Sequence, residues 1–267
     1  MPLIAAVQMN SGPDKAQNLA TAERLVRLAS SRGAALVGLP ENFSWMGLED
    51  ERRAAIESLE GPTLGRMGSL ARELGITLLA GSVLEGGAPG GRVHNTSVVF
   101  GPQGEQLGIY RKIHLFDVEI GDGASYRESQ TVAPGAEVVV AQTPFARLGM
   151  SICYDLRFPE LYRQHSQQGA TLLAVPAAFT LMTGKDHWEV LLRARAIENQ
   201  CYLLAPAQHG KHTGNRLTFG QALIVDPWGL VIARASDGEG MALGEYDPTV
   251  LERIRRSLPC LSHRRLG

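Results

Sequence analysis

The sequence predicts an α/β protein in which helices cover a mixed system of β-sheets. Segments with helical and strand periodicity alternate in both halves of the chain, and hairpins occur at both junctions. No linker rich in proline and serine divides the 267 residues. Hydrophobic residues make up 44% and charged residues 20%, which is typical of a soluble globule with a large core. We therefore expect one domain over residues 1–267, with a carboxyl-terminal tail from about residue 258.

The first half of the chain opens with a strand at Leu3–Met9 and a helix from Asp14 to Arg32. Apolar residues recur in this helix every three or four positions, and Gly33 ends it. The other elements predicted in this half are the strand Ala35–Leu39, the helix Thr63–Leu74, the strand Ile76–Val83 and a hairpin of Asn95–Phe100 with Gln106–Arg111.

In the second half, an apolar strand leads into Cys153 and a helix follows from Pro159 to Gln168. Asp186 and Glu189 have the spacing of a capping box, which predicts that the next helix starts at Asp186 and runs to about Gln200. The other elements predicted here are the strands Thr171–Val175, Tyr202–Ala207, Ala222–Val225, Leu230–Ala233 and Ala242–Tyr246, and a last helix after Pro248.

Composition and motifs exclude several classes of function. A net charge of −1 without a basic block argues against nucleic acid as the main partner. Three irregularly spaced cysteines indicate a reducing compartment, so together with the absence of a secretion signal we expect a cytoplasmic protein. No apolar stretch reaches membrane-spanning length. The histidines lack zinc spacing and the phosphate-loop and dinucleotide motifs are absent, so we expect neither metal nor cofactor.

Cys153 is the candidate nucleophile. It lies between a buried strand and a helix, at a tight turn that presents a thiol outward, and nearby helix N–H groups are expected to favour the thiolate. Most free cysteines have only a packing role, however. We assign that role to Cys201, which lies inside an apolar run, whereas Cys260 has no partner near the carboxyl end.

Two charged residues follow predicted strands in the same way as Cys153. Glu41 comes just after the second strand and Lys112 just after Gln106–Arg111. Functional groups at the carboxyl ends of different strands commonly converge on one crevice of an α/β sheet. Taken singly, each could equally be an exposed loop charge.

The sequences around these three residues resemble the nitrilase superfamily of carbon–nitrogen hydrolases, whose site is a Glu-Lys-Cys triad. The matching segments are Gly38-Leu-Pro-Glu-Asn-Phe43, Tyr110-Arg-Lys-Ile-His-Leu-Phe116 and Gly149-Met-Ser-Ile-Cys-Tyr-Asp-Leu-Arg-Phe-Pro-Glu160. The resemblance covers nearly the whole chain. It implies a four-layer αββα sandwich that assembles into homodimers or larger homo-oligomers.

The resemblance also implies roles for the residues. Glu41 is the general base, Lys112 the cation beside the oxyanion and Cys153 the nucleophile, and Glu128 matches a second carboxylate near the lysine. In amide hydrolysis Glu41 takes the thiol proton, returns it to the leaving amine and later deprotonates water. Lys112 and the backbone N–H of Tyr154 then stabilise the oxyanion.

Within the superfamily, the flanking residues are most similar to the branch of deaminated glutathione amidases and the related ω-amidases. A substrate of the first kind, 2-oxoglutaramyl-cysteinylglycine, has two carboxylates, which arginines bind well. We expect Arg157 to bind the inner carboxylate. The candidates for the outer one are His209, Lys211 and Arg216. An ω-amidase, a carbamoylase, a nitrilase and a non-catalytic interaction protein remain alternatives.

Overall fold

The computed structural model describes residues 1–119 and 125–266, apart from the side chain of Glu49. Its α-helices are α1 (Lys15–Ser31), α2 (Pro62–Leu74), α3 (Pro159–Gln167), α4 (Leu181–Asn199) and α5 (Pro248–Ser257). Two short 3-10 helices, Glu128–Gln130 and Cys153–Arg157, lie near the candidate site. None of the helices in the described ranges is long and apolar enough to cross a membrane.

Seventeen β-strands occur in the described residues. In chain order they are β1 (Leu3–Met9), β2 (Ala34–Gly38), β3 (Thr77–Leu79), β4 (Val83–Glu85), β5 (His94–Phe100), β6 (Gln106–Arg111), β7 (Asp117–Glu119), β8 (Ser125–Arg127), β9 (Val140–Gln142), β10 (Arg147–Met150), β11 (Leu172–Ala174), β12 (Tyr202–Ala205), β13 (Ala207–Lys211), β14 (Leu217–Phe219), β15 (Leu223–Val225), β16 (Val231–Arg234) and β17 (Gly240–Glu245).

Within the described residues the strands form two large mixed sheets and a two-stranded sheet. The first sheet has the order β14-β13-β1-β2-β3-β5-β4, with β17 paired to β1 and β6 paired to β5. The second has the order β16-β15-β12-β11-β10-β9, and β7 pairs with β8. Parallel pairing joins β1 to β2 and β2 to β3 in the first sheet, and β10 to β11 and β11 to β12 in the second.

The two faces of β1 show how the sheets and helices are layered. Ala5 and Val7 pack in a buried cluster with residues of α1 and α2, whereas Ile4 and Ala6 pack in a cluster with residues of the second sheet, α3 and α4. Alternate residues of a strand point to opposite faces. The order of layers is therefore α1 and α2, first sheet, second sheet, α3 and α4, which confirms the αββα sandwich.

Three predicted elements begin several residues away from the predicted position or are divided in the structure, whereas the others differ by at most two residues at an end. The helix predicted from Asp186 begins at Leu181 with Thr180 as its N-cap, so the capping-box interpretation was wrong. The helix has to extend across the sheet, and Trp188 in its third turn is therefore fully buried. The predicted strand Tyr202–Ala207 passes from the second sheet to the first at Pro206, which separates β12 from β13.

The strand predicted over Ile76–Val83 divides into β3 and β4. Gly81 lies between them with φ of 40°, and a Cβ atom there would be 2.0 Å from the carbonyl oxygen of Pro40. This close approach, which only glycine permits, brings the β3–β4 connection against the loop that carries Glu41.

Candidate active site

Cys153 occupies the sharp turn between β10 and α3. Its φ is 48°, a left-handed conformation that is uncommon for a residue with a Cβ atom, and its backbone N–H donates to the carbonyl of Pro176 at 3.0 Å. The residue is 8% exposed. Backbone strain of this kind tends to persist at functional sites, where the surrounding structure enforces it.

Asp155 fixes this turn and was not singled out from the sequence. Its carboxylate is fully buried and accepts hydrogen bonds from the Ile152 N–H at 2.8 Å and the Tyr110 hydroxyl at 2.7 Å. It also accepts from the backbone N–H of His114 at 3.0 Å. Because Tyr110 and His114 flank Lys112, one carboxylate ties the nucleophile turn to the lysine segment.

Glu41 follows β2 and is buried, with a partner for each carboxylate oxygen. Oε1 accepts from Lys112 Nζ at 2.9 Å and from Asn95 Nδ2 at 3.0 Å, and Oε2 accepts from the backbone N–H of Ala178 at 3.0 Å. The thiol of Cys153 lies close enough to this carboxylate for each group to shift the pKa of the other. Asn95, the second residue of β5, is a further site residue that the sequence analysis did not predict.

Lys112 follows β6 and lies between two carboxylates. Its Nζ is 2.9 Å from Glu41 Oε1 and 2.9 Å from Glu128 Oε2, and the lysine side chain is 2% exposed. Glu128 is held by the backbone N–H of Phe116, which donates to Oε2 at 2.7 Å. The structure therefore brings together all four residues that were expected to be catalytic.

The charges of the site follow from burial and from these contacts. Burial alone would raise the pKa of Glu41, but the Lys112 charge and hydrogen bond hold it below 4.5, its ordinary value. Burial opposes charge on Lys112 as well, yet Glu128 and Glu41 raise the pKa of the lysine. Near neutral pH both groups are ionised.

The thiol of Cys153 behaves differently from the expectation. Burial and the neighbouring Glu41 carboxylate raise its pKa well above 9.0, and Lys112 offsets only part of this. The expected preference for thiolate was wrong, because the 3-10 helix that starts at Cys153 has only five residues and a carboxylate faces the sulfur. The resting site therefore holds a neutral thiol beside a charged base.

A cavity of about 440 Å³ opens onto the Cys153 sulfur. Aromatic side chains form much of its wall, among them Trp45, Phe116, Tyr126, Tyr154 and Phe179. In the described part of the chain, its charged lining residues are Glu41, Glu128, Lys112, Arg52, Arg127 and Arg216. Four cations against two carboxylates favour an anionic ligand.

The remaining candidate residues lie in different places. Tyr154 and Arg216 line the cavity. Arg157 is not among the lining residues, since its guanidinium packs over the Phe179 ring at 5.2 Å and contacts His187 Nδ1 at 3.3 Å. His209 and Lys211 line a second, separate pocket.

The other two cysteines have surroundings unlike those of Cys153. Cys201 is fully buried, its thiol donates to the carbonyl of Ala170 at 3.2 Å, and burial raises its pKa to about 11. This agrees with a core role. Cys260 is half-buried in the tail that follows α5.

The αββα sandwich and the buried Glu-Lys-Cys cluster define a hydrolase of carbon–nitrogen bonds. The model of the carbon–nitrogen hydrolase family matches residues 3–256, and the chain therefore belongs to this family. It is an enzyme of the nitrilase superfamily, as the sequence motifs predicted.

Two curated relatives are similar over nearly their whole length. The deaminated glutathione amidase of Synechocystis sp. is 47% identical over 265 residues, which are 98% of this chain and 97% of the relative. The ω-amidase of Xenopus tropicalis is 37% identical over 262 residues, which are 98% of this chain and 94% of that protein.

Two solved structures share the fold. The NitFhit protein of C. elegans has a TM-score of 0.91 at 38% identity, covering 99% of this chain and 65% of the longer worm protein. A glutamate-to-glutamine variant of the amidase from Nesterenkonia sp. AN1 has a TM-score of 0.80 at 26% identity, covering 99% of this chain and 97% of that one. That structure carries the acetamide moiety of fluoroacetamide, covalently added at the active site cysteine.

Proposed function

We propose that this enzyme hydrolyses the amide of deaminated glutathione, 2-oxoglutaramyl-cysteinylglycine, to 2-oxoglutarate and cysteinylglycine. The observation that carries the chemistry is the cluster in which Glu41 bonds the Lys112 ammonium and lines the same cavity as Cys153. The identity of 47% to a deaminated glutathione amidase over nearly the full chain supports the choice of substrate.

In the first half-reaction Cys153 attacks the amide carbonyl while Glu41 takes the thiol proton. The carbonyl electron pair moves to oxygen, and Lys112 with the Tyr154 N–H stabilises the oxyanion. One such donor contributes roughly 3–4 kcal/mol to transition-state stabilisation in other enzymes. The carbon–nitrogen bond then breaks, Glu41 gives its proton to the leaving amine, and the acyl group remains on sulfur as a thioester.

In the second half-reaction Glu41 takes a proton from water, and the hydroxyl group adds to the thioester carbonyl. The same cation and N–H stabilise the second oxyanion. The carbon–sulfur bond breaks and the Cys153 sulfur regains its proton from Glu41, which restores the resting site. Because its pKa is lowered, Glu41 is unprotonated at the start of the cycle and can accept the thiol proton.

The charge of the cavity supports an anionic substrate. Glu41 and Glu128 both pair with Lys112, and Arg216 adds a positive charge at the cavity wall that attracts anions. Arg157 stays a predicted contact for a substrate carboxylate, although it lies behind Phe179 rather than at the cavity surface.

The second candidate function is that of an ω-amidase, which acts on 2-oxoglutaramate. The identity of 37% to such an enzyme over most of the chain favours it over a carbamoylase or a nitrilase. Both candidates share the triad and the same acyl group, so they differ only in the leaving group.

The experiment is a comparison of specificity constants for deaminated glutathione, 2-oxoglutaramate, an N-carbamoyl amino acid and a nitrile. We expect deaminated glutathione to have the highest kcat/KM. A wide margin in favour of 2-oxoglutaramate would identify an ω-amidase instead. The Cys153→Ala variant provides the blank, since it keeps the cavity but lacks the nucleophile.

We also propose that the enzyme is cytoplasmic and forms a homodimer. The three free cysteines, none of them in a disulfide, suit a reducing compartment. Exposed apolar residues on α4 and on the turn before β16 support self-association.

A further inference from the structure

We infer that Arg216 is the residue that binds a carboxylate of the substrate and thereby sets the preference for anionic amides. This inference rests on the proposed function, because it concerns the ligand of the same cavity. Several cations line that cavity, and three features of the structure distinguish Arg216 from the others.

The first feature is the rigid support of the segment that carries Arg216. Buried His212 anchors it through Nδ1 to the carbonyl of Ser11 at 2.8 Å and through Nε2 to the Thr218 hydroxyl at 2.7 Å. The His212 N–H donates to the Arg216 carbonyl at 2.8 Å, which closes the loop between them. A guanidinium on a fixed loop loses less entropy when it binds an anion.

The tight course of this loop has a local cause. Gly214 and Asn215 both have left-handed backbones, with φ of 71° and 61°. Glycine and asparagine adopt this conformation more readily than other residues. The two residues turn the chain so that Arg216 lies over the Tyr126 ring, 6.0 Å from its centre, at the cavity wall.

The second feature is a buried donor without a partner. Arg216 Nε is inaccessible to solvent and makes no hydrogen bond within residues 1–119 and 125–266. An unsatisfied buried donor is costly, so a ligand that supplies an acceptor gains affinity there. Arg127, by contrast, already pairs with Glu119 at 2.5 Å and is largely exposed.

The third feature is the position of the charge relative to the base. The Arg216 charge contributes to the lowered pKa of Glu41, after the effects of burial and Lys112. A carboxylate bound to Arg216 therefore lies within electrostatic reach of the catalytic cluster. Two sources of this carboxylate fit, namely the 2-oxo acid of the acyl group and the glycine terminus of the leaving peptide.

The test measures binding without turnover. Iodoacetamide alkylates Cys153, with iodide as the leaving group, and 2-oxoglutarate or alanylglycine is added as a protecting anion. The two probes represent the acyl group and a leaving peptide without its thiol. Half-protection is reached at a certain concentration of each probe. In Arg216→Gln we expect this concentration to rise about tenfold to a hundredfold for at least one probe, as for the loss of a charged hydrogen bond.

The matched control is Lys211→Gln, which removes one positive charge from the same segment outside the cavity and should leave protection unchanged. Arg216→Lys keeps the charge but not the two-pronged geometry, so it should recover only part of the affinity. If Arg216→Gln loses protection by 2-oxoglutarate, Arg216 binds the carboxylate of the acyl group. If it loses protection by alanylglycine, Arg216 binds the carboxylate of the leaving peptide. Protection by neither probe in the wild type, or equal protection in the wild type and Arg216→Gln, overturns the inference.

A kinetic comparison separates this inference from the proposed function. In 4-oxopentanamide a methyl group replaces the carboxylate of 2-oxoglutaramate. If the acyl carboxylate binds Arg216, then Arg216→Gln should raise KM for 2-oxoglutaramate and leave 4-oxopentanamide unaffected. An equal loss on both amides would indicate a general defect and overturn the acyl assignment. If the wild type turned over deaminated glutathione poorly while protection still depended on Arg216, the proposed substrate would be wrong. The anion site at Arg216 would still be supported.

Discussion

At the scale of single residues, the reactivity of Cys153 depends on the atoms around its sulfur. It has the Glu41 carboxylate and the Lys112 ammonium as neighbouring charges, whereas the thiol of Cys201 donates to backbone carbonyls. We expect Cys153→Ser to abolish hydrolysis, because a hydroxyl is a far weaker nucleophile in this site. Cys201→Ser and Cys260→Ser should keep most of the activity. Steady-state turnover of each variant is the measurement, with circular dichroism as a control for folding. Substantial activity of Cys153→Ser would refute the assignment of Cys153 as the nucleophile.

Glu41 and Lys112 have different parts in the cycle, so their variants should fail differently. Glu41→Gln removes the base from both half-reactions and should stall the enzyme before or after acyl transfer. Lys112→Ala removes the oxyanion cation and takes from Glu41 and Glu128 the cation that they share, so it should eliminate turnover altogether. Mass spectrometry of each variant with substrate shows whether a thioester accumulates. Normal multiple turnover by Glu41→Gln would show that another residue is the base, with Glu128 as the first candidate.

The pH dependence of activity follows from the same two residues. The pKa of Glu41 lies below 4.5, so the base stays charged as pH falls and is lost only when pH passes through the lowered value. The pKa of Lys112 lies above 10.5, so its charge is present below 10.5 and is lost at still higher pH. Each group likewise contributes stability between these limits. We expect kcat/KM to stay flat from pH 7 down to 5, measured with the fold monitored by circular dichroism. An acid limb centred near pH 6 would require another essential group.

At the scale of elements, the Asp155 network connects the nucleophile turn to the segment around Lys112. Asp155→Ala would leave the Tyr110 hydroxyl and the Ile152 N–H buried without an acceptor. We expect a loss of roughly 2–6 kcal/mol in the free energy of unfolding, because each buried donor left without an acceptor costs about 1–3 kcal/mol. Tyr110→Phe should cost about 1 kcal/mol, and exposed Asp186→Ala close to nothing. Denaturant titrations measure all three, and equal stabilities would show that the network is dispensable.

The elements that the sequence predicted well are those with local signals. The strand Leu3–Met9 has the predicted bounds, and α1 and α2 differ by one residue at each end or less because Asp14 caps the first and Gly75 ends the second. The start of α4 and the division at Pro206 were missed, since both are set by packing against the sheets. No local pattern reports such contacts.

The same distinction applies to the candidate site. Glu41, Lys112, Glu128 and Cys153 were found through the motifs around them. Asn95 and Asp155 were missed because their importance lies in hydrogen bonds to residues 33 or more positions away. Arg157 was expected in the cavity from its nearness to Cys153 in sequence, but the turn directs it behind Phe179. Distance along the chain is a poor guide to side-chain direction.

At the scale of the whole molecule, the apolar surface around α4 indicates an interface. The apolar residues Leu161 and Tyr162 of α3 are buried within the chain itself. The exposed apolar residues lie elsewhere, with Val190 65%, Trp228 63% and Leu230 60% exposed. The turn that carries Trp228 packs on α4, since a Cβ atom at Gly229 would be 2.5 Å from the Ile197 side chain.

Exposed apolar residues grouped in this way often mark a binding surface, and in homodimers the same surface meets its own copy about a twofold axis. We therefore expect at least a dimer in solution, and light scattering should give about twice the chain mass of 28.8 kDa. Trp228→Glu should shift the protein toward the monomer, because it places charge in the middle of the patch. Leu28→Glu on α1, in the opposite outer layer, should not. A wild-type monomer at micromolar concentration would rule out this interface, and the apolar patch would then have to bind a different partner.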